Sequence, residues 1–382
     1  MLTKKFGRKL SLRSCLMLVC FSTIAINGNF NSIATISAPK FLATPINAQS
    51  NDLAVAVVND FADQVIIPTY QLLETEATKL TQAVDTFVTN PNEDTLKAAQ
   101  EAWLATRNPW EQSEAFAFGP AESLGYDGDL DDWPVNETDV TAIINSQDAL
   151  TPEYIKGLQT THKGFHTIEL LLFGQDNNKT AADFSPRELE LLKNLTLAFQ
   201  QTATNLTTSW TKGVNNNPPY REVFTTAGDS SNPAYPTVNA ALEEIVQGMI
   251  GCLDEVANEK IGEPLKTQEN IGFESRFSHS SARDFQNNLK SMQNAYLGTV
   301  PAANTSGQSI SDLVAKADPE LDRQVQAQLE TAIQAVSAIP DAIETQVTDP
   351  EASSKMQSAQ TAILKLFTTI EQQVLPIVQS AT

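Results

Sequence analysis

The chain is expected to be all-α, arranged as two four-helix-bundle-like domains. Three observations support this: apolar residues recur at helical spacing, no long stretch alternates as a strand would, and helix starts are marked by a capping residue followed by proline. Such starts are "TPEY" at Thr151, "SPRE" at Ser185, "DPEL" at Asp318 and "DPEA" at Asp349. Proline is tolerated there because its missing N–H would have had no partner in the first turn.

In chain order, residues 1–48 read as a signal peptide. The opening is basic and turns apolar from Cys15 to Ile26, a run of leader-core length and too short to span a bilayer comfortably. Cleavage could follow the run closely, near Ala25, or fall after "INA" at Ile46 to Ala48, the preferred site, whose residues suit a signal peptidase and leave "QSND" opening the mature protein. The leader holds Lys4, Lys5, Arg8, Lys9, Arg13 and Lys40 and no acid, so the remainder is more acidic than the net −21 of the whole chain. That surface repels nucleic acid and anionic lipid and concentrates cations. Cys252 is the one cysteine beyond the leader, which excludes an intrachain disulfide and a thiolate metal cluster. No later segment is apolar for long enough to cross a membrane. The protein is therefore expected in the periplasm, or attached to the outer face of the cytoplasmic membrane.

Residues 49–212 form the expected N-terminal helical domain. Ser185 and Glu188 have capping-box spacing, and Leu189, Leu192, Leu195, Phe199 and Leu206 make one stripe after them. Residues 118–137, "FGPAESLGYDGDLDDWPVNE", are irregular and acidic. Asp127, Asp129 and Asp131 have calcium-loop spacing, but Asp132 stands where that loop needs glycine and no glutamate closes it, so a solvated acidic loop is expected. Residues 213–236, rich in Pro, Asn and Gly, form an irregular connection. Residues 237–382 form the C-terminal helical domain, with stripes through Leu321, Val325, Leu329 and Val336, and through Met356, Ile363, Phe367, Ile370 and Val374.

"HKGFHTIELLLFG", residues 162–174, holds two of the three histidines. On a helix over 154–173, His162, His166 and Glu169 fall within about 60° of one another, inside the apolar stripe with Ile155, Leu158 and Phe173. A buried imidazole and carboxylate are costly unless paired or bound to a cation. The trio can reach one metal ion from one helix; the alternative is hydrogen bonding within a core. Lys163 stands where a metallopeptidase of this spacing carries its general base. Gly157 and Gly164 lie opposite, where another backbone can approach.

Two further constellations carry chemistry. Trp103, Arg107, Trp110 and Glu114 share one face if a helix continues through Pro109, either as site residues or as an Arg–Glu pair under aromatic cover. Ser278, Ser280 and Ser281 cluster at an expected helix start, with Ser281 and Asp284 able to cap it. That start could receive an anion or a ligand carboxylate, or serve as plain capping.

"GFHTIE", Gly164 to Glu169, resembles the Gly-x-His-x-x-Glu motif of the imelysin-like proteins. The blocks from Trp103 to Pro120, "DGDLDDWPV" from Asp127 and "ESRFSHSSARDFQNNLKSMQNAYLG" from Glu274 are similar to that family's other recurring blocks. The leader style and "NAQS" junction are most like its cyanobacterial iron-regulated protein A group. The resemblance implies an exported, all-helical protein whose two domains are related by duplication, with a ligand pocket where they meet. It implies His166 and Glu169 as metal ligands, Gly164 as the structural residue, and Glu114 and His162 as further candidates. Trp103, Arg107, Trp110, Ser278, Ser280 and Ser281 would line the pocket. His279 departs from the pattern, in which a small amide is expected. The implied function is iron acquisition, with a metal-dependent peptidase as the alternative and a non-catalytic binder of a small anionic or sugar ligand as a third reading. The cargo would be a metal ion, iron by resemblance, although zinc and copper suit imidazole and carboxylate as well. The implied partner is an envelope transport system.

Overall fold

The chain is seen in a computed structural model that describes residues 46–382, with side chains from Asn51 onward. Most of the leader assigned to residues 1–48 lies outside this range. The first helix, α1 (Ile46–Asp60), runs through a π-helical turn at Phe61–Ile66 into α2 (Ile67–Thr89). Val57, Phe61, Val65, Tyr70, Leu73, Leu80, Val84 and Phe87 form its buried face. Asn92 caps α3 (Glu93–Glu111) by accepting from the Asp94 and Thr95 amides, while the Thr95 hydroxyl accepts from Asn92 N–H. Pro109 does not break α3; the helix ends two residues later.

Residues 118–137, expected to be irregular, hold two short helices, α4 (Pro120–Ser123) and α5 (Tyr126–Asp131). They are followed by α6 (Glu137–Asn145) and α7 (Pro152–Lys156). The single helix expected over 154–173 is broken. A 3₁₀ turn at Thr160–His162 separates α7 from α8 (Gly164–Phe173). The cause is local: Lys163 is extended and Gly164 has φ +78°, a left-handed conformation that cannot continue a right-handed helix. His162 therefore does not share a helical face with His166.

The expected capping box of Ser185 and Glu188 opens α9 (Pro186–Thr211). The second half comprises α10 (Tyr220–Thr225), α11 (Val238–Glu255), a π-turn at Val256–Lys260, α12 (Gly262–Thr267) and α13 (Ser281–Leu297). It continues through α14 (Ile310–Ala317), α15 (Pro319–Ser337), α16 (Pro350–Thr369) and α17 (Leu375–Gln379). Asp318 and Asp349 cap α15 and α16 as their sequence predicts. The strands among the described residues are a two-residue antiparallel pair, β1 (Thr299–Val300) and β2 (Thr305–Ser306).

In the first half α2 packs on α3 and α9; in the second, α15 packs on α16 and α13. The halves join where α3 meets α13 and where α1 meets α11. The described residues gather into one compact unit with one continuous core, so the boundary at 213–236 marks no gap in the packing. At the junction of α3 and α13 lies a groove of about 580 Å³ lined by Asn108, Gln112, Arg283 and Asn287. His166, Arg107 and Ser278 do not line that groove, where a shared pocket had been expected.

Candidate metal centre

Gly164 explains how the site is assembled. A Cβ there would lie 2.5 Å from the Leu130 carbonyl oxygen, so only glycine lets the end of α5 press against the start of α8. That contact brings Asp131, the last residue of α5, to His166 in the first turn of α8. His166 Nε2 faces two carboxylates, 3.0 Å from Asp131 Oδ1 and 3.6 Å from Glu274 Oε1. Ligand atoms around one cation at a bond length of about 2.1 Å stand roughly 3.0–3.5 Å apart, so this spacing suits a shared ion.

Glu169 is placed otherwise than its motif suggests. Its Oε1 accepts from the amides of Phe277 at 3.1 Å and Ser278 at 2.8 Å and from the Ser278 hydroxyl at 2.7 Å. Its Oε2 lies 3.2 Å from His166 Nδ1. The carboxylate is thus occupied by the chain itself, and it orients the imidazole. The serine block is occupied in the same way. Ser278 serves Glu169, Ser280 Oγ lies 2.8 Å from Ser278 Oγ, and Ser281 N–H donates to Glu344 Oε1 at 2.8 Å. The anion expected at this helix start is supplied by the protein's own glutamates. The expected cap of Ser281 and Asp284 is not formed: Ser280 is the N-cap, and the Ser281 hydroxyl accepts from Ser275 N–H. His279 has φ +56°, a conformation that asparagine adopts more readily than histidine, which gives the expected amide a physical reason.

Arg107 lies at the centre. Its guanidinium pairs with Asp131 and Glu111, reaches Asp284 Oδ2 at 3.3 Å and Glu274 Oε1 at 3.6 Å, and sits 4.8 Å from the Phe165 ring. The expected Arg–Glu pair is made by Glu111, one turn along α3, and not by Glu114, which lies beyond the helix in a 3₁₀ turn. Trp110 Nε1 donates to Asp131 Oδ2 at 2.5 Å, and Trp103 Nε1 donates to the Phe165 carbonyl at 3.0 Å, which anchors the start of α8. Lys260, on the π-turn after α11, reaches Glu274 Oε2 at 2.8 Å and Glu111 Oε2 at 3.3 Å. Half-buried Glu114 has a carboxylate oxygen within 4.8 Å of those of Glu111 and Asp131. His162 stands apart, paired with Asp139 at 3.2 Å.

The charges do not balance. The carboxylates of Glu111, Asp131, Glu169, Glu274 and Asp284 face two permanent cations, Arg107 and Lys260, and all these side chains are nearly buried. Surplus negative charge in a dry site must be met by protons or by a cation. Burial pushes the Glu111 carboxyl up to about 8 despite Arg107 and Lys260, and burial also raises Asp284. Burial opposes charge on His166, but Asp131 outweighs it and the imidazole is raised well above its usual range. Glu274 is held well below the carboxylate range: burial opposes this, but Lys260 and then His166 prevail. A proton or a metal ion at Nε2 would meet the same field, so the donor set fits a cation.

Asp131, Glu274, Glu111, Asp284 and Lys260 were not singled out from sequence as parts of this site. The sequence predicts a solvated loop at Asp131, yet its side chain is 5% exposed. The available signal was Leu130, an apolar residue inside the acidic run, which is fully buried.

The fold and site define an all-α protein with a buried histidine–carboxylate cluster joining its two halves. Comparison with known proteins agrees. The Imelysin family profile matches residues 66–370, and the chain belongs to that family. It is 39% identical over 322 residues to iron-regulated protein A of Synechococcus elongatus, covering 84% of this chain and 86% of that protein. Among solved structures, an iron-regulated protein A precursor from Parabacteroides distasonis is similar with a TM-score of 0.76 and 29% identity, covering 87% of this chain and 95% of the other. An imelysin-like protein from Psychrobacter arcticum shares the fold with a TM-score of 0.67 and 15% identity over 88% and 98% of the two chains. The all-helical architecture, the family and the similarity to iron-regulated protein A are as expected. No helix among the described residues is long and apolar enough to cross a membrane.

Proposed function

We propose that this protein is an exported, periplasmic iron-acquisition protein that holds iron, or an iron-linked ligand, between its two halves. In this reading His166, Asp131 and Glu274 are the ligands, Glu111 and Glu114 stand within reach, and Glu169 orients His166. The observation that carries it is the convergence of His166 Nε2, Asp131 and Glu274, amid surplus buried carboxylate, at distances that one ion could bridge. Imidazole and carboxylate accept ferrous or ferric iron. Arg107 and Lys260 also pair with the ligands Asp131 and Glu274, so they fix these carboxylates in place and an ion would share them with two permanent cations.

The similarity to iron-regulated protein A supports iron as cargo. A metallopeptidase needs a metal-bound water open to a peptide and a base beside it. The His166 and Glu169 side chains have no exposed surface, which favours holding an ion over turning over a polymer.

Elemental analysis of protein purified from its native compartment should find iron in the parent and none in His166→Ala or Asp131→Asn. Chelator-sensitive peptide hydrolysis abolished by the same substitutions would replace this reading with the peptidase. Unchanged metal affinity in both variants would remove the cluster as the site.

A further inference from the structure

A second group of hard oxygen donors meets at the connection of residues 213–236, which the His166 cluster leaves unused. Tyr220 opens α10, Tyr235 lies on the loop before α11, and Glu244 is on α11. Tyr220 Oη is 2.8 Å from Tyr235 Oη, and the Tyr235 hydroxyl hydrogen-bonds to Glu244 Oε2.

The two phenols are held firmly. The Tyr220 ring meets Trp210 edge-on at 5.0 Å, and Tyr235 meets Phe224 at 5.3 Å and 89°. A Cβ on Gly119 would lie 2.5 Å from the Tyr220 ring, so glycine at φ +63° leaves that ring its place. Asn232 fixes the turn: its Oδ1 accepts from the amides of Ala234 and Tyr235, each at 3.1 Å, and its Nδ2 donates to the Val223 carbonyl at 2.7 Å. Phenylalanine at either tyrosine would keep these ring contacts. What the hydroxyls add is a row of oxygens at the rim of the core: Tyr235 buried, Tyr220 and Glu244 half-buried.

We propose that Tyr220, Tyr235 and Glu244 form a second cation site that selects ferric iron. Phenolate and carboxylate are hard anionic donors, and phenolate is an established iron ligand. The group contains no thiolate or imidazole to favour zinc or copper. Two phenolates and one carboxylate supply three negative charges, matching a trivalent ion. As the two iron–oxygen bonds form, the two phenol protons leave to solvent, and no electron is transferred. Burial and then the Glu244 carboxylate push the Tyr235 hydroxyl up, so it keeps its proton until a cation replaces it.

This site shares no residue with the His166 cluster and does not depend on it. The test adds ferric nitrilotriacetate to the full chain and reads visible absorption together with bound iron. The expected result is a phenolate-to-iron charge-transfer band that persists in His166→Ala and disappears in the Tyr220→Phe/Tyr235→Phe double variant, with one fewer ferric ion bound. Near-ultraviolet dichroism and a urea midpoint establish that the double variant is folded. Tyr220→Phe alone, which removes one half-exposed hydroxyl, should shift the band and weaken ferric binding about tenfold or more. The proposal is overturned if the parent shows no band, if the band survives in the double variant, or if Tyr220→Phe leaves both band and affinity unchanged.

Discussion

Replacing Glu169 with glutamine removes one charge and almost no shape, so it isolates the orienting role. The glutamine carbonyl oxygen can keep the three donors that Glu169 Oε1 receives, at 3.1, 2.8 and 2.7 Å. The change falls on the other atom, 3.2 Å from His166 Nδ1. A carboxylate there accepts the Nδ1 proton and leaves Nε2 free to ligate; an amide donates instead and drives the proton onto Nε2, facing Asp131. Loss of such a partner lowers metal affinity 10–100-fold, about 1.4–2.7 kcal/mol. Because the three buried donors stay paired, unfolding free energy in urea should change by no more than about 1.5 kcal/mol. Glu169→Ala strips all three donors and should cost about 3 kcal/mol or more. Affinity is read by competition with a chromophoric chelator. Unchanged affinity in a folded Glu169→Gln variant refutes the orienting role, and complete loss of binding makes Glu169 a ligand.

Two more perturbations test how the site is built. Gly164→Ala combines a left-handed backbone with a Cβ 2.5 Å from the Leu130 carbonyl. It should lower stability by at least about 2 kcal/mol in urea and weaken metal binding as Asp131 is pushed from His166. Glu344 is buried, and burial raises its carboxyl from the ordinary 4.5 to about 7. The folded state therefore holds a proton that the unfolded chain has released, and stability falls as pH rises through that window, by up to about 3 kcal/mol. Glu344→Gln removes this slope: its advantage over the parent should be small at pH 4.5 and reach about 3 kcal/mol by pH 8. A constant difference across that range would show that Glu344 does not titrate as described.

Helix starts at Thr151, Ser185, Asp318 and Asp349 were readable because a cap is settled within four residues of itself. The stripes of α9, α15 and α16 were readable for the same reason: burial of one face imposes a period on neighbouring residues. The motif at Gly164, His166 and Glu169 was also visible, as two histidines and an acid placed in an apolar run. Its geometry differs from a continuous helix because left-handed Gly164 interrupts the chain there, and a glycine in sequence does not announce its φ.

The partners of His166 are a different matter. Arg107 meets Asp131 from 24 residues away and Asp284 from 177, and Glu169 takes its donors from segments 108 and 109 residues distant. No periodic pattern connects such positions; they are joined by packing of α3, α5, α8 and α13, which settles which carboxylates are dry and which face water. The linear chain thus specified helices, caps and the histidine at the centre. Folding alone made Asp131 a buried neighbour and gave Glu169 its donors, because charge and solvation depend on what surrounds a group in space.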